Sequence, residues 1–278
     1  MYVRMNYKGI CILSLCLLAT VPARALEERI TLLPGHATAR TVGDWQADGA
    51  VLRKGFKGGM DYLVADREYK PDPSVDLLLH FDDISDSDAT GNWAASAGPA
   101  FSIDRATARL GEGAGDFRGP DSAMTLSPKP SSLFGGNSRF RDFSIEFWLY
   151  PANADNGEVI LLWRSLRRLP SGVLGQQVSC VISGGRLSWS FSGFFARPGA
   201  AKDSDADSRV ELRARSPLIP RAWSHHLVRF DGDTGLVEYL VDGRPEATAY
   251  ATATGREGGT VFEPAIGAAA PLEFCPEY

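Results

Sequence analysis

The chain has 278 residues, 44% hydrophobic and 23% charged, an ordinary globular composition that excludes a disordered tail or a fibre. Its formal net charge is −5, with no clustered basic stretch, which argues against a nucleic-acid surface because phosphate binding needs concentrated positive charge. Twenty-nine glycines and 17 prolines favour many turns.

Arg4 and Lys8 precede an apolar run from Gly9 to Val21. Pro22 breaks the run, and Ala23-Arg24-Ala25 places small residues where a signal peptidase reads them. This three-part order predicts a secretory leader over 1–25. The run is too short to span a ~30 Å hydrocarbon core, which sets a cleaved leader against an uncleaved anchor. Cys16 follows the bulky Leu15, which argues against lipoprotein processing there. Cleavage removes Arg4, Lys8 and Arg24 and no acidic residue, so the exported chain is expected to be more acidic. It would be periplasmic, cell-surface or secreted, with no later transmembrane segment.

Residues 26–74 read as a short β-rich leading segment and linker. Val51-Leu52 and Tyr62-Leu63-Val64 are small strands between Gly/Asp turns, and Pro71 and Pro73 mark the boundary. The main domain, 75–278, opens with a strand over Val75–Phe81. Phe143–Tyr150 alternates, with Phe143, Ile145, Phe147 and Leu149 on one face. Val159–Trp163 is apolar on both faces, as a central strand should be. Val178–Ser183 and Arg186–Ser192 flank the Gly184-Gly185 hairpin turn, and in the second strand Leu187, Trp189 and Phe191 alternate with serines. Residues 196–208 form a surface loop, followed by the alternating Val210, Leu212 and Ala214. Ser224–Phe230, Leu236–Val241 and Arg244–Thr252 make two more hairpins, the second turning at Asp242-Gly243. No long window keeps a 3.6-residue apolar period. The fold class is therefore all-β, a two-sheet antiparallel sandwich.

The ordered segments Leu78-Leu79-His80-Phe81-Asp82, Asp88-Ala89-Thr90-Gly91-Asn92, Gly115-Asp116-Phe117, Phe143 to Pro151, Trp223-Ser224-His225, Phe230-Asp231-Gly232, Val241-Asp242-Gly243 and Ala265-Ile266-Gly267 resemble a laminin-G-like domain of the concanavalin A-like lectin/glucanase superfamily. The resemblance covers residues 75–270. It implies a jelly roll of the kind used as a binding or adhesive module for glycans or proteins, in some members with calcium. It also implies a closing strand of the type Gly-x-Ile-Asp-Glu after Ile266-Gly267. Here Pro271-Leu272-Glu273-Phe274-Cys275 stands instead, so the sheet lacks its last strand or the segment 26–69 supplies a replacement.

Candidate chemistry follows from residue types. Asp82, Asp86, Asp88 and Asn92 offer oxygens of the kind calcium takes, in a region where the resembling family often holds that ion; a solvated Asx-rich turn is the alternative. Cys180 and Cys275 remain after leader removal, either as a disulfide or as two separate thiols. The superfamily's retaining glucanases carry alternating acids on one strand, and neither Glu146 nor Glu238 stands in such a pattern. His225 and His226 are adjacent on a strand and point to opposite faces, so they cannot share a metal there. No Gly-x-Ser-x-Gly elbow occurs. The aromatic ligand-binding candidates are Trp148 and Tyr150, on a mixed face with Ser144 and Glu146, and Trp93, Phe194 and Phe195 in expected loops.

The resulting expectation is an exported, non-catalytic binding module for a glycan or an envelope or extracellular partner protein, calcium optional. A diverged glycoside hydrolase and an assembly subunit that uses an open sheet edge are the alternatives.

Overall fold

The computed structural model describes the backbone of six short strands within residues 2–65. It describes residues 68–83, 88–198 and 209–276 with their side chains. In chain order the strands are β1 (Tyr2–Arg4), β2 (Arg29–Thr31), β3 (Ala39–Thr41), β4 (Trp45–Asp48), β5 (Val51–Lys54), β6 (Leu63–Ala65), β7 (Trp93–Ala97), β8 (Ser102–Asp104), β9 (Ala114–Asp116), β10 (Met124–Pro128) and β11 (Phe143–Tyr150). They continue with β12 (Val159–Leu169), β13 (Gly172–Ser183), β14 (Arg186–Ser192), β15 (Phe195–Ala196), β16 (Arg209–Arg213), β17 (Ser224–Phe230), β18 (Leu236–Val241), β19 (Arg244–Tyr250), β20 (Glu263–Pro264) and β21 (Leu272–Phe274). Among the described residues there is no helix.

Two seven-stranded sheets make the sandwich. The first has the order β19-β18-β17-β11-β1-β9-β8 and the second β16-β14-β13-β12-β21-β10-β7. Within both, every ladder is antiparallel except the two that β1 makes with β9 and β11. The alternation in the sequence explains the layering. Phe143, Ile145, Phe147 and Leu149 of β11 turn inward and meet Trp163, Trp189 and Phe191 of the opposite sheet in one core. Phe147 lies 5.9 Å from Trp189 and Phe143 lies 6.2 Å from Phe191, ring to ring, so the sheets pack face to face. Buried aromatics of this size carry 150–250 Å² each and dominate such a core. The hairpin turns form as expected: Gly184 and Gly185 both have positive φ, the geometry that matches the twist of the flanking strands.

Three expectations change. Val75–Phe81 is not a ladder strand, although Leu77, Leu79 and Phe81 are fully buried. Its backbone bonds instead to the turn that follows: Leu78 donates to the Asp88 carboxylate at 2.9 Å and accepts from Ala89 at 2.8 Å. The segment expected to stand in place of a closing strand forms one itself: Leu272–Phe274 is β21 and enters the second sheet, between β12 and β10. The place beside β11 is taken by β1, from within the expected leader. The strands of the leading segment pair only with one another, as β2-β5-β4 and β3-β6. Most of the expected surface loop, residues 199–208, lies outside the described residues.

Candidate functional site

The polar half of the second sheet's alternation forms a groove of about 490 Å³ across its outer face. Arg164 of β12 pairs in register with Gln177 of β13, Gln177 with Ser192 of β14, and Ser192 with Arg209 of β16. At ~4.8 Å between strands, this row runs transverse to the chain for about 14 Å. Ser190, Gly175 and Leu166 complete the floor and one lip. The row ends carry charge: Arg209 is 2.5 Å from Glu211, and Arg164 is 3.9 Å from Glu273.

One end of the groove is fixed from below. The Gln176 amide donates to the carbonyls of Gly193 at 2.8 Å and Ala265 at 2.7 Å, and its oxygen accepts from the Gly267 amide at 2.7 Å. The Ser165 hydroxyl donates to the Ala268 carbonyl at 2.6 Å. Hydroxyl, amide and guanidinium groups held on paired strands suit recognition of a hydroxyl-rich ligand through fixed hydrogen bonds. The sequence signal was present, since serines alternate with Leu187, Trp189 and Phe191. Without the register of four strands, those serines do not add up to a row. Beyond this groove, the core holds a ~20 Å³ apolar void around Trp93, Phe134 and Trp163, too small for an organic ligand.

The outer face of the first sheet is aromatic. Trp148 is 8% exposed. The Arg109 guanidinium sits 4.4 Å from its ring centroid, and the His225 ring is 5.1 Å away, from the directly opposite register position. Trp148 therefore already has a cation–π partner and a ring neighbour. Tyr150, half-buried, packs on Trp223 at 5.2 Å. Glu146, nearly buried, lies 3.3 Å from His225 Nε2. His226 points to the opposite face, as strand geometry requires. It is fully buried between the Tyr239 hydroxyl at 2.7 Å and the Ser224 hydroxyl at 2.8 Å.

The loop aromatics expected to bind ligand are core residues. Trp93 starts β7, is 2% exposed, and donates its indole N–H to Asp76 at 3.2 Å. Phe194 and Phe195 are buried, packed at right angles to each other at 5.2 Å and against Phe143, Phe191 and Phe230. The turn before them is tight because Gly193 has φ +60° and a side chain there would lie 2.5 Å from the Gly175 carbonyl oxygen. That close approach swings both rings inward.

Three of the four expected calcium ligands, Asp82, Asp88 and Asn92, are described, and each has different partners. Asp88 is buried with both oxygens engaged: Oδ1 accepts from Leu78 N and Thr90 N, and Oδ2 accepts from the Thr90 hydroxyl and Trp93 N. It is a backbone anchor. Asn92 donates to the Asp76 carbonyl at 3.3 Å. Asp86 lies outside the described residues. Asp82 groups instead with Glu68 and His80, the one metal-compatible trio among the described residues. The Glu68–His80 contact is 3.1 Å, and it holds the Glu68 carboxyl below its ordinary value. An imidazole with two carboxylates suits a transition ion better than calcium.

Asp76, absent from the sequence-based candidates, ties Trp93 to the Ser132 hydroxyl and the Leu133 amide. Burial raises its carboxyl pKa against those hydrogen bonds. Cys180 and Cys275 are buried and both free, so the disulfide alternative gives way to two thiols. Leu161 of β12 pairs with Cys180 on one side and with Phe274, the neighbour of Cys275, on the other. A strand therefore separates the two chain segments.

Fold and site together define a two-sheet jelly-roll sandwich with a polar groove on one outer face. No known family profile matches the chain, and no curated protein does. Among solved structures it is similar to domain 4 of AbnA, a GH43 extracellular arabinanase from Geobacillus stearothermophilus, in complex with arabinotriose. The identity is 14% over 68% of this chain and 85% of that one, with a TM-score of 0.39. An endo-1,3-beta-glucanase from Streptomyces sioyaensis matches at 9% identity over 67% and 91% of the chains, TM-score 0.29. A SAP-like pentraxin from Limulus polyphemus matches at 13% over 50% of this chain, TM-score 0.30, and the chain spans 54% of that relative's length.

Proposed function

We propose that the chain is an exported, non-catalytic glycan-binding module whose ligand lies in the groove across β12, β13, β14 and β16. The observation that carries this reading is the transverse row Arg164–Gln177–Ser192–Arg209. Its side chains donate and accept hydrogen bonds, two charged groups stand at its ends, and the strands beneath are locked by Gln176 and Ser165. Such a floor matches an oligosaccharide better than an apolar peptide. Catalysis is disfavoured because, among the described residues, no carboxylate lines the groove; the nearby Glu211 and Glu273 each face an arginine. Calcium is no part of this reading, since Asp88 has no oxygen to spare.

Glycan-array screening of the exported protein tests it. Binding to a defined oligosaccharide is expected, unchanged by EDTA and reduced at least tenfold in the double variant Gln177→Ala, Ser192→Ala. Binding untouched by that variant, or release of reducing sugar from the bound glycan, overturns it.

A further inference from the structure

β9 and β11 do not pair with each other. Each forms its antiparallel ladder on the far side, β9 with β8 and β11 with β17, leaving a seam one strand wide inside the first sheet. Tyr2–Arg4 stands in that seam, parallel to both neighbours. Val3 takes the register of Gly115 and Leu149, and Arg4 that of Asp116 and Tyr150. The sequence places these residues in the expected leader, and the strands β2 to β6 pair among themselves.

We propose that in the exported chain this seam is a strand-acceptor slot. It takes, in parallel, an extended segment of another polypeptide with an apolar residue at the Gly115 and Leu149 register, followed by a basic residue beside Asp116. The proposal is separate from glycan binding, which occupies the other sheet, and it rests on removal of residues 1–25.

Three features support it. Two strand edges face each other across a single strand's width, and their backbone N–H and C=O groups need partners in the middle of a sheet. The floor is closely packed: an added Cβ at Gly115 would lie 3.0 Å from Phe117 and 3.1 Å from Phe81, so at this register the side chain comes from the incoming strand rather than from β9. Two carboxylates flank the seam: Asp116, 1% exposed and paired with Arg118, and Glu146, beside His225 and two residues before Trp148 on the facing strand. A basic residue at the Arg4 register adds favourable charge there. Main-chain ladder bonds would then supply affinity and the alternating side chains selectivity, as in other strand additions.

The test uses the exported protein and a labelled peptide of residues 1–8, which carries Tyr2–Arg4. N-terminal sequencing should first show a chain beginning at Leu26. Saturable peptide binding is expected, weakened at least tenfold by Val3→Pro in the peptide, which removes a ladder donor, and severalfold by Arg4→Ala in the peptide or Asp116→Asn in the protein. Glycan binding should be unaffected by the peptide, so the two readings fail independently. An exported chain that retains residues 1–25, no peptide binding, or equal binding of the proline peptide overturns the proposal. So does a stable dimer that the peptide dissociates, because the slot would then be filled by a second copy.

Discussion

His226 Nδ1 lies 2.7 Å from the Tyr239 hydroxyl, with both side chains fully buried between the sheets. Burial, with His225 adding to it, pushes the imidazole pKa down from the ordinary 6.5 to about 3. The folded state therefore keeps a neutral ring where the unfolded state takes up a proton. Stability is full above about pH 6.5 and falls as pH drops towards 3, by up to ~1.4 kcal/mol per pH unit. Urea melts at pH 7 and pH 4.5 should show His226→Gln to be less stable than wild type at pH 7. The variant should also lose about 2–3 kcal/mol less than wild type between the two pH values. Parallel losses would show that the ring protonates readily in the fold.

Asp88 carries a second test. Removing its carboxylate in Asp88→Ala strands the amides of Leu78, Thr90 and Trp93 in a buried corner. The expected loss is about 3–5 kcal/mol, since buried donors left unmade cost ~1–3 kcal/mol each with partial relaxation. A backbone anchor predicts a wild-type melting temperature that is the same in EDTA and in millimolar calcium. A calcium-dependent rise of several degrees would return Asp88 to the ion.

Phe195→Ala separates core from ligand contact. Its ring touches Phe143, Phe191, Phe194 and Phe230, so truncation should lower stability by about 3–5 kcal/mol. Glycan affinity per folded molecule, measured well below the melting temperature, should not change. A selective affinity loss with an unchanged melt would place Phe195 in the binding surface.

Arg209→Glu probes the end of the groove. The residue is exposed and, among the described residues, its ion pair is with Glu211 at the surface, so the melt should shift by less than about 0.5 kcal/mol. Binding of any carboxylate-bearing sugar should fall more than binding of its neutral counterpart. Equal losses for both would mean that Arg209 acts through hydrogen bonding rather than charge.

Burial raises the Cys180 thiol well above its ordinary pKa. A thiol reagent should find no reactive group in the native protein and two in denaturant once the leader is gone. Reductant should leave the melt unchanged. A native disulfide would show instead as a melt that falls on reduction.

Much of the fold was legible because period-two alternation states both the strand and its face. β11, β14, β16, β17 and β18 all follow their alternating residues, and the Gly184-Gly185 and Asp242-Gly243 turns stand where the dipeptides put them. Val75–Phe81 reads as a strand for the same reason, and the sequence has no way to show that its amides bond to Asp88 rather than to a ladder. The site was less legible. Trp93, Phe194 and Phe195 sit between strands, where aromatic residues suggest contact with a ligand. Their inward turn depends on the close approach of Gly193 to Gly175, residues far apart in the chain. The groove depends on lateral register across four strands, and register is settled by the assembled sheet.

The groove and the core are written on the same strands in alternate letters. Trp163 is core and Arg164 is groove; Val178 is core and Gln177 is groove; Phe191 is core while Ser190 and Ser192 are groove. Changes at the outward positions leave the packed layer untouched, and changes at the inward ones leave the row's chemistry in place. A lineage carrying this domain can therefore change the groove one exposed residue at a time without disturbing the packed layer.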